Sequence, residues 1–145
     1  MANATLTAAN SVITLSITGL FPVPQTLQAY AADDVLTTEQ IAPIEIVMGV
    51  DGRLAGGYTP VPRRQTFVLQ GDSPSNLMFE SWQVQQDTAL DAFIANGFIV
   101  LPALNRAWAM TKGFLTGYSP MPDVRRIIQP RRYVITWQSI IPAPI

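Results

Sequence analysis

Few side chains in this sequence could do chemistry, and their types narrow the options. Asp87 and Asp91 stand one helical turn apart, a spacing that puts two carboxylates on one face. Asp72 and Asp123 are the other two carboxylates a hydrolase of the two-carboxylate kind could set across a cleft. Histidine and cysteine are both absent, and Lys112 is the only lysine. That removes the usual proton carrier near neutral pH, the thiolate nucleophile and zinc–sulfur chemistry. With no histidine or basic residue near them, Asp87 and Asp91 read as a solvated helix surface rather than an acid/base pair. The sequence predicts a protein that is not an enzyme and that uses no cofactor or metal.

The other concentrated chemistry is cationic. Of the ten acidic residues only Asp123 lies beyond residue 100, whereas six of the nine basic ones do: Arg106, Lys112, Arg125, Arg126, Arg131 and Arg132. The last four bracket residues 127–130. Arginine forks suit phosphate, so one reading is a nucleic-acid contact. A second is a head-to-tail contact with an acidic region of a neighbour such as Asp33-Asp34, since complementary potentials fix orientation and register. A third is a basic hairpin face neutralised within its own subunit. The net charge of −1 weighs against a protein whose main work is gripping DNA. Trp82, Trp108 and Trp137 are not interleaved with basic residues as in single-strand binders.

The elements that must position these groups are mostly strands. Residues 11–18 (SVITLSIT) alternate with the period of a half-buried strand. Gly19 and Pro22–Pro24 break it, and residues 26–31 supply a plausible partner. Residues 44–48 read as a short strand, and residues 49–52 (GVDG) as its hairpin turn, with Asp51-Gly52 supplying the positive φ angles of a primed turn. Residues 53–58 return, and residues 65–70 form another strand. Ser73-Pro74 looks like a helix start, Ser as N-cap and Pro at the first position. A helix, whole or split, follows to residue 95, with Asn96-Gly97 as its stop. Strands return at 98–101 and 107–112, with Gly113 and Gly117 as punctuation. The clearest strand is residues 133–140 (YVITWQSI), after which Pro142 and Pro144 end the chain in an extended tail outside any ladder.

Composition adds the setting. Apolar residues are 48% of the 145 and charged residues 13%, about half the usual charged share. So little polar surface points to an obligate assembly in which much of the exterior meets other protein. The length fits one domain, residues 1–145, with extended arms at 1–10 and 141–145. No apolar run reaches the roughly 18 residues of a bilayer span, and residues 1–10 do not read as a signal peptide. The expectation is an intracellular, soluble chain without membrane insertion. The fold class expected is mainly β, a β-sandwich or barrel with one flanking α-helix.

The order of the motifs is more specific than any one of them. Residues 48–52, 65–70, 72–76, 98–101, 121–123 and 133–139 follow one another in a way that resembles the tail tube proteins of contractile-tailed bacteriophages, over about residues 44–140. The resemblance implies a tail-tube-like domain that assembles as a ring of six, its inner sheets joining into one barrel and the rings stacking into a tube. It implies as partners other copies of the chain, a tail sheath protein, a tape-measure protein and baseplate or initiator proteins. Double-stranded genomic DNA passes through the lumen without specific binding, and the protein resides in the virion tail after assembly in the host cytoplasm. A tube-initiator or adaptor ring of the baseplate is the alternative; an oligosaccharide- or nucleic-acid-binding β-barrel is more distant. The contact candidates are Asp33, Asp34, Arg125, Arg126, Arg131, Arg132, Tyr133 and Trp137, with Asp51 and Gly52 shaping the hairpin turn and Ser73 and Pro74 capping the helix. On this reading the arginines face a neighbouring ring or the sheath, and the lumen is neutral to acidic.

Overall fold

Two long strands form the spine. In the computed structural model, which describes residues 11–27 and 36–144, strands β8 (Arg106–Tyr118) and β9 (Arg131–Pro144) pair antiparallel along nearly their whole length. On the β8 side come β7 (Ala95–Leu101), β1 (Val12–Ile17) and β2 (Phe21–Thr26). On the β9 side come β6 (Arg63–Leu69) and β3 (Leu36–Thr38), giving the order β2-β1-β7-β8-β9-β6-β3 with every pairing antiparallel. Strands β4 (Ile44–Met48) and β5 (Leu54–Tyr58) form a separate hairpin, and α1 (Asn76–Ala89) is the one α-helix among the described residues. The protein is thus mainly β with one helix, as its alternation predicts.

The sheet curls around one core. Ile13, Leu15 and Ile17 of β1 join Phe67 and Leu69 of β6 in a single cluster, although these strands lie toward opposite ends of the strand order. Tyr133, Ile135 and Trp137 line its floor, and α1 closes it with Met78, Phe79 and Trp82. The ladder is irregular in the middle of β8. Lys112 takes a left-handed conformation, φ 49°, and the β7–β8 register shifts beside it, the local re-aiming a bulge provides. Next to it Gly113 lies under the Trp137 ring, where a Cβ would stand 2.3 Å from Trp137 Cε3. Gly113 therefore belongs inside β8, not at a break.

Several local expectations are corrected. Pro22 and Pro24 do not interrupt the first hairpin but lie in β2, which ends at Thr26; residues 28–31 and Asp33-Asp34 lie outside the described residues. The helix begins at Asn76 with Ser75 at its N-cap, because residues 70–75 first make tight turns: Ser73 N–H donates to the Gln70 carbonyl and Asn76 N–H to that of Ser73. Ser73 is buried, and its Oγ accepts from Ser75 N–H at 3.3 Å. The helix ends at Leu90, left-handed at φ 53°, and Asn96-Gly97 belongs to β7 opposite Ser16 and Leu15. In the β4–β5 turn only Gly52 has positive φ, 86°, and its N–H donates to the Gly49 carbonyl. That is a type I turn closed by a left-handed glycine, not a primed turn. Finally, β9 runs through Pro142 and Pro144, so those residues join the ladder with β8.

Candidate assembly surface

The basic segment divides into an anchored and a presented part. Arg131 is only 3% exposed. Its guanidinium meets Glu80 Oε1 at 2.6 Å and donates to the carbonyls of Ser119 and Pro120 at 3.3 and 3.2 Å, lying 5.5 Å over the Tyr133 ring. It ties the 119–130 loop to α1 and to the start of β9, and it is not presented to a neighbour. Tyr133 and Trp137 are also inside the subunit, because their alternation puts them on the core face of β9. Tyr133 stacks on Phe79 with centroids 4.0 Å apart and donates to Asn76 Oδ1 at 2.9 Å; Trp137 Nε1 donates to Gln65 Oε1 at 2.9 Å. These three candidates act as core and anchor instead of contact.

Burial pushes the Tyr133 phenol up to about 12, with Arg131 opposing and Glu80 assisting that rise. An acid whose folded value lies above its unfolded value of 10 stabilises the fold fully below pH 10 and loses that contribution between 10 and about 12. Ultraviolet titration of the four tyrosines should show one ionising about two units late or only on unfolding, and Tyr133→Phe should remove that late phase.

What remains presented is the tip of the loop. Arg125 and Arg126 are exposed there, beside Met121, Val124, Ile127 and Ile128, which are 54–72% exposed, and Arg132 is exposed at the start of β9. The tip holds its shape through a Val124–Ile128 bridge and a bond from Gln129 N–H to the Asp123 carbonyl. Exposed apolar side chains with arginines adjacent in sequence suit a protein surface more than phosphate alone.

The second surface is the β4–β5 hairpin, which the sequence reading placed but did not mark as a site. All ten of its strand residues are exposed. Its register sets Ile44 opposite Tyr58, Ile46 opposite Gly56 and Met48 opposite Leu54, so these side chains share one face. Five of the six are apolar and large, each 54–63% open to solvent. A lone two-stranded hairpin is marginal in water, and an apolar face of this kind marks an interaction site. The signal was available: apolar residues at 44, 46, 48, 54 and 58 fall on one face once the turn is centred on 49–52.

At the hairpin's root an open groove of about 380 Å³ is lined by Pro60, Val61, Pro62, Arg63, Lys112 and Phe114. It gathers cations and an aromatic from separate strands, which linear spacing could not reveal, and no carboxylate lines it. Asp72, Asp87, Asp91 and Asp123 are all exposed, and Asp91 caps Ala92 N–H at 2.8 Å. Among the described residues no three His, Cys, Asp or Glu side chains group to hold a metal, and no helix is long and apolar enough to cross a membrane.

This fold recurs in contractile injection machines. A chain of the PVC sheath/tube terminator of an extracellular contractile injection system, in its extended state, superposes with a TM-score of 0.68 at 8% identity, over 99% of each chain. A chain of the PVC sheath–tube complex in the extended state gives 0.64 at 10% identity, over 92% of this chain and 88% of that one. A chain of the anti-feeding prophage baseplate, resolved with six-fold symmetry imposed, gives 0.62 at 12%, over 99% and 98%. No curated protein sequence matches the chain. Its sequence does match one family model, described as tail fiber protein gp32, across residues 4–141, and with nearly its whole length so matched the protein belongs to the tail fiber protein gp32 family.

Proposed function

We propose that the chain is a structural protein of a contractile tail, with no enzymatic role, whose copies close into six-membered rings that stack into the inner tube. The observation that carries this is the β4–β5 hairpin, an apolar face left in water by the isolated subunit. The sparse charge agrees, because much of the exterior becomes interface. The likeness to a chain of a sheath–tube complex supports a tube position, and the six-fold baseplate relative supports the ring number. The family's description speaks of a tail fiber, and the fold is the guide to position within the tail. On this reading a sheath surrounds the tube, a tape-measure protein fills it during assembly, and double-stranded DNA passes along a lumen that does not grip it. Arg125, Arg126 and Arg132 then serve contacts between proteins. Assembly takes place in the host cytoplasm and the product resides in the virion. A terminator, initiator or adaptor ring is the second reading, favoured by the 0.68 score over 99% of a chain of the sheath/tube terminator structure.

Electron microscopy of the purified protein, with and without Ile46→Lys, tests this. The parent should form rings or tubes, while the variant stays monomeric with stability within about 0.5 kcal/mol, as befits an exposed substitution. Tubes of indefinite length favour the tube protein, and rings that never stack favour the second reading. A variant that assembles like the parent sinks the role given to the hairpin.

A further inference from the structure

The two longest edges of the main sheet without a strand partner among the described residues belong to β2 and β9; the outer side of β3 and that of β8 over residues 114–118, beyond its pairing with β7, are shorter. The first is the side of β2 turned away from β1; the second is the side of β9 over residues 138–144, beyond its pairing with β6. Both carry prolines two residues apart, and a proline nitrogen has no hydrogen to donate. On β2, Leu27 N–H donates to the Ile13 carbonyl at 2.9 Å and Leu15 pairs with Gln25; the register then shifts, so that Ile17 pairs with Phe21 and Pro22–Pro24 lie in the irregular stretch between. Phe21 and Gln25 hold the ladder on either side of that stretch, and Pro22 and Pro24, having no N–H, leave a strand on the outer side no donor at either position. On β9, Pro142 stands opposite Trp108 and Pro144 opposite Arg106. Only Ile141 and Ala143 can supply the bonds to β8 there, so these two nitrogens face outward. The Gln138 carbonyl nearby already accepts from the Arg63 guanidinium at 3.4 Å. The outward donors left on the two edges are the amides of Thr26, Gln138 and Ile140.

The hairpin is built the other way. Gly49 N–H donates to the Arg53 carbonyl and Thr59 N–H to that of Pro43, both at 2.7 Å. That pattern turns the amides of Ile44, Ile46 and Met48, and of Leu54, Gly56 and Tyr58, away from the partner strand. None of the six is a proline.

We propose that Pro22, Pro24, Pro142 and Pro144 set the specificity of assembly: they close the two longest edges of the main sheet to main-chain pairing, so that copies meeting there do so through side chains, and strand addition by a second copy is directed to the hairpin. A strand approaching either closed edge finds its own carbonyls facing nitrogens that cannot donate. Native sheets use proline in this way to prevent edge-to-edge aggregation. The occupant of the hairpin rests on the assembly reading above; the closing of the edges does not.

The test uses the full chain. Pro22→Thr/Pro24→Thr and, separately, Pro142→Ala/Pro144→Ala should each raise the rate of thioflavin-positive aggregation roughly tenfold at native circular dichroism. Rates equal to the parent in both folded variants overturn the proposal. Because a variant can aggregate by failing to fold, residue-resolved amide exchange on the parent supplies a second reading. On assembly, Thr26 and Ile140 should change by less than about threefold, while Ile46 and Gly56 slow by roughly a hundredfold. Hundredfold slowing at Thr26 and Ile140 overturns it. A chain that never assembles sinks the assembly reading instead, and the aggregation rates then decide the edges alone.

Discussion

Gly113→Ala should lower the melting temperature by about 10 °C, the largest effect expected of any single methyl group in this chain. The added carbon would stand 2.3 Å from Trp137 Cε3, 2.5 Å from Cζ3 and 2.9 Å from Ile135 Cγ2. None of these neighbours can yield cheaply. Trp137 is 1% exposed and pinned by its bond to Gln65, whose amide in turn donates to Thr38 Oγ1 at 3.0 Å. Overpacking a closed core costs about 1–3 kcal/mol, and a ring that must break a buried hydrogen bond to move belongs at the top of that range. Gly117→Ala is the control. Its Cβ would meet Val134 at 3.4–3.5 Å, close to ordinary contact, so the change should stay within about 0.5 kcal/mol. Scanning calorimetry of the two variants decides it; equal melting temperatures would show that the sheet bend has slack that the tight Gly113 contact denies.

The second large effect is an asymmetry between partners of one ion pair. Glu80 is 44% exposed and Arg131 3%, so intuition would make the buried arginine the worse loss. The desolvation argument says the opposite. Arg131→Met frees a carboxylate that can turn to water, and the carbonyls of Ser119 and Pro120 belong to exposed residues. Its cost should be about 1–2 kcal/mol. Glu80→Met leaves a buried guanidinium without its counter-charge, held by the two carbonyls alone, and its Nε has no partner among the described residues. Removing one side of a buried pair costs about 3–5 kcal/mol, and the exposure of Glu80 trims this to about 2–4. The double variant should recover most of the loss, since apolar replacement of both members of a buried pair is often neutral. Urea unfolding of the three proteins reads the order directly. A larger loss for Arg131→Met than for Glu80→Met would show that the two carbonyl bonds, not the charge balance, hold the 119–130 loop.

How much of this was legible beforehand depends on which physical effect set each feature. Strands governed by two-residue alternation over a buried face stood out, as with Ile13, Leu15 and Ile17, or Tyr133, Ile135 and Trp137. Features set by backbone direction did not. Proline reads as a breaker in a linear pass, yet Pro22 and Pro24 sit in the irregular stretch of an edge strand, and the Pro142 and Pro144 nitrogens face an unpaired edge where the ladder loses nothing. Asn96-Gly97 reads as a helix stop, but the helix had already ended at the left-handed Leu90. Three of the contact candidates, Arg131, Tyr133 and Trp137, went inside by a similar route. Tyr133 and Trp137 were legible as one face of a strand, but which face met the core was decided by α1 and β6. Arg131 was grouped with its basic neighbours by sequence, whereas its position opposite Leu69 in the β6 ladder and the reach of Glu80 took it inside. Exposure of the hairpin face could be read only once the rest of the chain was seen to leave it uncovered.

The left-handed turn at Lys112 has a practical side. It holds the chain's single lysine, exposed, on the rim of the groove where the sheet bends. One side-chain amine per subunit, in a chain without cysteine, is a ready-made address for an amine-reactive fluorophore. In a closed ring each dye would have neighbours at fixed spacing, so energy transfer between identical labels would depolarise the emission as rings form and follow assembly in real time.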